Sequence, residues 1–179
     1  MTTTNSTASS TDNGLAALAE ATAEAVTADP ATAGVRPRVR TSLVGGTATQ
    51  VTVRAGAHEW TVDEPPALGG QDTGANPVEH LLAALGSCQV ITYQVWAAKL
   101  GIALDEVEVD LRGELDIRGF FGLSEQVRPG FQSVSVDVLL RGPEPAERYE
   151  ELSDAVERHC PVLDNITTEA PVESTLRVA

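Results

Sequence analysis

Only two cysteines occur in the 179 residues, at positions 88 and 160. In a reducing compartment so few thiols in so long a chain do not build a disulfide framework, which leaves redox, catalytic or inert roles for them. Positive charge is scarce too: 12 Lys and Arg stand against 26 Asp and Glu, a formal net charge of -14 at pH 7. A field of that sign repels phosphate backbones and anionic membrane surfaces, arguing against nucleic acid and membrane as partners and for solubility as the use of the acidity. The two cysteines and three histidines show no CxxC or HxxxH spacing, so no metal is expected. No solenoid repeat is present. The opening stretch, MTTTNSTASSTDNG, has neither a basic start nor an apolar run behind it, so no export signal is read there and the chain is expected to be cytoplasmic.

What the sequence does contain is 42% hydrophobic residues, sufficient for one domain with a substantial core. Residues 1–13 are rich in Ser, Thr and Asn and are expected to be a disordered tail. A short peripheral helix is expected within 14–30, over LAALAEATAEAV, and the main domain within 35–179. In VRPRVRTSL, Val35, Pro37, Val39, Thr41 and Leu43 alternate with Arg36, Arg38, Arg40 and Ser42, a strand pattern. Gly45 and Gly46 then reverse the chain, and a three-residue loop at 44–46 pairs Val39 with Val51, placing Arg36, Arg38, Arg40 and Arg54 on one face. A third strand follows at 57–62 and a Pro/Gly-rich loop at 63–75. After a long helix come two period-two runs, through Val107, Val109 and Leu111 and through Val134, Val136 and Val138, joined by a loop carrying Phe120 and Phe121. Tyr149, Leu152 and Val156 mark a second helix that Pro161 stops, and TLRVA is expected to be a last strand. The order of strands and helices is that of an α+β fold.

The long helix, EHLLAALGSCQVITYQVWAAKL at 79–100, is nearly all apolar. Its Ser87, Gln89, Thr92 and Gln94 would be penalised in lipid, so a buried central helix is expected rather than a membrane span. Asn76 reads as its cap, Pro77 as its first residue, and Glu79 as the partner that reaches back to the cap. Nine residues at about 100° each carry Cys88 to the opposite side of the helix from Glu79, roughly 13 Å along the axis, so the two do not meet within it. Cys88 shares a face with Leu81, Leu85, Ile91, Thr92 and Val95, which fits a small buried hydrophobe as well as a reactive thiol. It lies too far into the helix for the dipole to act on it, so a reactive Cys88 needs a cation from elsewhere, and the arginine-bearing hairpin is the supplier at hand. Cys160, in ERHCPV at a helix C-terminus, suits a resolving thiol better than an attacking one, and equally a buried cysteine beside a helix stop.

TGANPVEHLLAALGSC, followed by HCPV at 159–162 on a β-rich frame, resembles the OsmC/Ohr family (osmotically inducible protein C and organic hydroperoxide resistance protein). The resemblance runs from about Val35 onward. It implies an OsmC-like fold, with antiparallel sheets wrapped around long central helices in an intertwined homodimer and active sites at the subunit interface. It further implies a cysteine-based peroxidase of the oxidative stress response that reduces organic hydroperoxides to alcohols. In that activity Cys88 is the peroxidatic thiol and Cys160 the resolving one, the pair closes to a disulfide, and a dithiol reductant reopens it. No metal or organic cofactor is needed. Where family members carry an acidic residue directly after Asn-Pro, this chain has Val78; where an activating arginine stands near the first hairpin turn, it has Thr47. Strand facing therefore selects Arg40 as the cation, with Arg54 and Arg38 next. Phe120 and Phe121 are expected to line an apolar substrate pocket, with anchoring of their loop as the plainer role. The alternative function is a redox-sensing or ligand-binding dimer that keeps the thiols without efficient turnover.

Overall fold

The computed structural model describes residues 14–178, so the expected N-terminal tail lies outside the described residues. The chain divides into two compact units, one built on Leu18–Ala84 and Leu111–Ser135, the other on Leu85–Asp110 and the segment from Val136 onward.

In the first unit, β1 (Val39–Leu43), β2 (Val51–Ala55) and β3 (His58–Val62) form an antiparallel sheet in that order. Helix α1 (Leu15–Ala28) buries none of its residues. The β1–β2 register differs from the expected one: Val39 faces Ala55 and Leu43 faces Val51, across a loop running from Val44 to Gln50 rather than over three residues. Thr47 explains the extra length, because its amide and its hydroxyl both donate to the Val44 carbonyl, at 3.2 and 2.8 Å, making a turn inside the loop. Thr49 and Gln50 then bond outside the hairpin, to Asp63 and Thr73. The change of register is an even number of residues, so each side chain keeps its face. Val53 is buried on one side, while Arg40 and Arg54 stand directly opposite each other on the other. The unit also contains α3 (Ile117–Phe120), whose first turn is capped by Asp116.

Helix α2 (Pro77–Leu100) starts as its sequence requires: the Asn76 amide donates to the Glu79 carboxylate at 2.8 Å, and the Glu79 amide to the Asn76 side chain at 2.9 Å. It ends at Gly101, whose φ of +63° lets the Ile102 amide turn back to the Ala97 carbonyl at 2.9 Å. Among the described helices α2 is the one long and apolar enough to cross a membrane. Leu85, Gly86, Gln89, Thr92, Tyr93 and Ala97 are nonetheless buried within the protein itself.

The second unit packs α4 (Ala146–His159) against its part of α2. Tyr93, Ala97, Ile102, Leu104, Leu152 and Val156 form one apolar cluster, with Trp96, Val107, Leu140 and Tyr149 around it. The Tyr149 hydroxyl donates to the Ala103 carbonyl at 2.9 Å and accepts from the Glu144 amide at 3.2 Å, joining the start of α4 to the loop after α2. Strands β4 (Glu106–Glu114) and β5 (Ser133–Arg141) make a two-stranded sheet, in which half-buried residues alternate with exposed ones along β4. One expectation fails here, and one helix is added. Pro161 ends α4 but also opens α5 (Pro161–Thr167), since proline fits the first turn of a helix as readily as it interrupts one. The described part of TLRVA, residues 175–178, forms no strand: residues 169–178 pair with none and lie exposed. Leu152 is completely buried in the cluster, so Leu152→Ala is expected to lower unfolding stability by about 3 kcal/mol, measured by urea denaturation monitored by circular dichroism.

Candidate active site

The two thiols meet inside the second unit. Cys88 sits mid-way along α2 and is partly exposed; Cys160 links α4 to α5 and is 1% exposed; both are reduced. Their side chains are near enough for the Cys88 sulfur to influence the Cys160 thiol. The helices place them so. Thr92 satisfies the Cys88 carbonyl at 2.7 Å within α2, and the Cys160 amide closes α4 on the Val156 carbonyl at 2.9 Å, beside fully buried Val156.

Burial pushes the Cys160 thiol up, and the neighbouring Cys88 sulfur adds to the effect. The amides of Leu163 and Val162, at the start of α5, act in the opposite direction without prevailing. The expected handicap from the end of α4 is thus only part of the setting, because Cys160 also precedes a new helix whose free N–H groups face its sulfur. The balance favours the protonated form of the buried Cys160.

The other proposed residues lie in the first unit. Arg40 is exposed on β1 with Arg54 as its cross-strand neighbour. Phe120 and Phe121 are 65% and 53% exposed, their rings edge to face with centroids 5.1 Å apart. Neither ring anchors its loop into a core.

Sequence reasoning missed Asp63. Its carboxylate is 2% exposed and accepts from the Thr49 hydroxyl at 2.6 Å, the Thr73 hydroxyl at 2.9 Å and the amides of Glu64, Gln71 and Thr73 at 2.9, 3.0 and 3.2 Å. These bonds, that of Thr49 foremost, hold its carboxyl far below the usual carboxylate range, against the opposing effect of burial. Asp63 thereby ties the hairpin loop to the Pro/Gly-rich loop that leads into α2. That loop is tight: a Cβ on Gly70 would lie 1.7 Å from the Glu64 carbonyl oxygen. No local pattern announces such a centre, because its donors come from three separate stretches of chain. Also unannounced is the stack of His159 on Trp96, centroids 4.1 Å apart, with the Lys99 ammonium 3.8 Å from the centre of the Trp96 ring.

No curated protein matches this sequence. Solved structures with the same fold include an OsmC-like protein from Mycoplasma pneumoniae, with a TM-score of 0.65 at 16% identity over 75% of this chain and 89% of that one. An organic hydroperoxide resistance protein from Elizabethkingia anophelis has a TM-score of 0.57 at 20% identity, covering 75% of this chain and 91% of that one. The organic hydroperoxide resistance protein OsmC of Legionella pneumophila has a TM-score of 0.56 at 20% identity, over 74% and 89%. At these identities the likeness is one of fold. The family model for OsmC-like proteins matches residues 70–175, the stretch that carries α2, both thiols and both helices flanking Cys160, and on that match this chain belongs to the OsmC-like protein family.

Proposed function

We propose that the protein is a thiol peroxidase for organic hydroperoxides, and the observation that carries the reading is the pair of free cysteines brought into one unit as neighbours, one partly exposed and one buried. The Cys88 thiolate attacks the terminal oxygen of ROOH; the O–O bond breaks, the S–O bond forms, and the departing alkoxide takes a proton to become the alcohol. The resulting Cys88 sulfenic acid then condenses with the Cys160 thiol. A disulfide forms and water leaves. An external dithiol restores both thiols by exchange, becoming a disulfide itself. The family, and two structural neighbours that are organic hydroperoxide resistance proteins, support this reading.

Purified protein mixed with cumene hydroperoxide is expected to lose both free thiols and gain one intramolecular disulfide, detected by mass spectrometry of unreduced peptides. Unchanged thiols would end the proposal. With dihydrolipoamide supplied, a peroxidase consumes hydroperoxide continuously, whereas a redox sensor oxidises once and turns over slowly. Arg40 is assigned the counter-charge to the Cys88 thiolate, and Phe120 and Phe121 an apolar surface for the alkyl group. Arg40→Ala is then expected to slow iodoacetamide alkylation of Cys88 about tenfold near neutral pH. An unaltered rate would transfer the role to Arg54 or Arg38.

A further inference from the structure

The face of the first sheet opposite Val53 gathers positive charge in a protein whose formal net charge is -14. Arg38, Arg40 and Arg54, with Pro37, Ala55 and Gly56, line an open cleft of about 720 Å³. Across the sheet, Arg40 pairs with Arg54 and Arg54 with Glu59, so two guanidinium groups lie on adjacent strands at the same level. Like charges placed directly opposite each other destabilise a sheet. Glu59 relieves only Arg54, through an ion pair at 2.5 Å; among the described residues neither Arg38 nor Arg40 has an ion-pair partner. Three arginines less one glutamate leave the cleft with a charge of +2.

We propose that this cleft binds a small molecule bearing a dianionic oxyanion, a phosphate monoester or a pair of carboxylates. Two guanidinium forks side by side suit such a group, because each offers parallel N–H donors to oxygen pairs. The volume is that of a small-molecule site. Size also selects against long polyanions: at 0.1 M salt, charge more than about 10 Å away is screened, so a small dianion meets chiefly the arginines. A nucleic acid would extend along an acidic protein and be repelled. Arg40 is also assigned to the Cys88 thiolate, so the binding test is made at Arg38 and Arg54 and read as ligand binding, not peroxidase activity.

The test is isothermal titration of the full chain with phenyl phosphate and, separately, with succinate, at constant ionic strength set by chloride. Saturable binding of phenyl phosphate assigns a phosphate ester, and of succinate a dicarboxylate. Arg38→Ala and Arg54→Ala are each expected to weaken it at least tenfold. Arg54→Lys, which keeps the charge and loses the fork, should weaken it a few-fold and serves if the alanine variant does not fold. Absence of saturable heat with either probe, equal binding by the variants, or tighter binding of a single-stranded oligonucleotide would each overturn the proposal.

Discussion

Cys88→Ser is expected to lower organic hydroperoxide reduction at least about a thousandfold while leaving the fold intact, because the hydroxyl occupies the same space without supplying a thiolate. Cys88 is only partly buried and its neighbours on α2 hold the helix without it, so circular dichroism and melting temperature should stay near those of the parent. Cys160→Ser separates the two halves of the cycle. The first oxidation survives, but the Cys88 sulfenic acid has no partner; it should persist long enough to be trapped by dimedone and found by mass spectrometry, and turnover with dihydrolipoamide should fall at least about tenfold. If Cys88→Ser still reduces hydroperoxide at the parental rate, the activity does not reside in the thiol pair. Equal dimedone labelling of the parent and of Cys160→Ser would instead deprive Cys160 of its resolving role. The raised Cys160 thiol guards that residue against oxidation before the sulfenic acid forms; in the condensation it reacts as the thiolate and its proton leaves with the departing water.

Asp63→Asn is expected to give the largest loss of stability among polar substitutions in the first unit. The neutral amide offers one acceptor oxygen where the carboxylate had two, and it turns an N–H₂ toward donors that already point inward. A drop in melting temperature of about 5 °C or more at pH 7 is the expected result. The acid limb carries the more specific signature. The folded carboxyl titrates below its unfolded value, so its contribution is complete above an unfolded pKa of about 3.9 and disappears as pH falls below that value toward the folded one. The parent should lose stability as the pH falls through this range, and Asp63→Asn should lose less, so the gap between the two melting curves narrows steadily below about pH 4. Parallel curves for the two proteins would show that the charge at Asp63 does not matter.

Local chemistry made much of this protein legible. The capping pair Asn76 and Glu79 marked the start of α2, and alternation in the runs through Val107 and Val134 marked β4 and β5, since caps and periodicity depend only on residues near one another. The family resemblance rested on motifs around the two thiols, and the match over residues 70–175 agrees with it. The same local rules misjudged the β1–β2 loop, where Thr49 and Gln50 take partners outside the hairpin, and the segment after Pro161, where proline begins a helix as well as ending one. They were silent on Asp63 altogether.

From its residues alone the chain determined the long helix α2, the helix α4 and the strands β1 to β5, the alternation that sets their faces, and that two thiols stand in family positions. Tertiary structure alone decided that the sulfurs of Cys88 and Cys160 meet, that one is buried and the other reachable, and that a carboxylate draws together three distant stretches. The division has a physical cause. Periodicity and capping are short-range properties of the backbone, whereas desolvation and hydrogen bonding between remote side chains exist only after the chain has closed on itself.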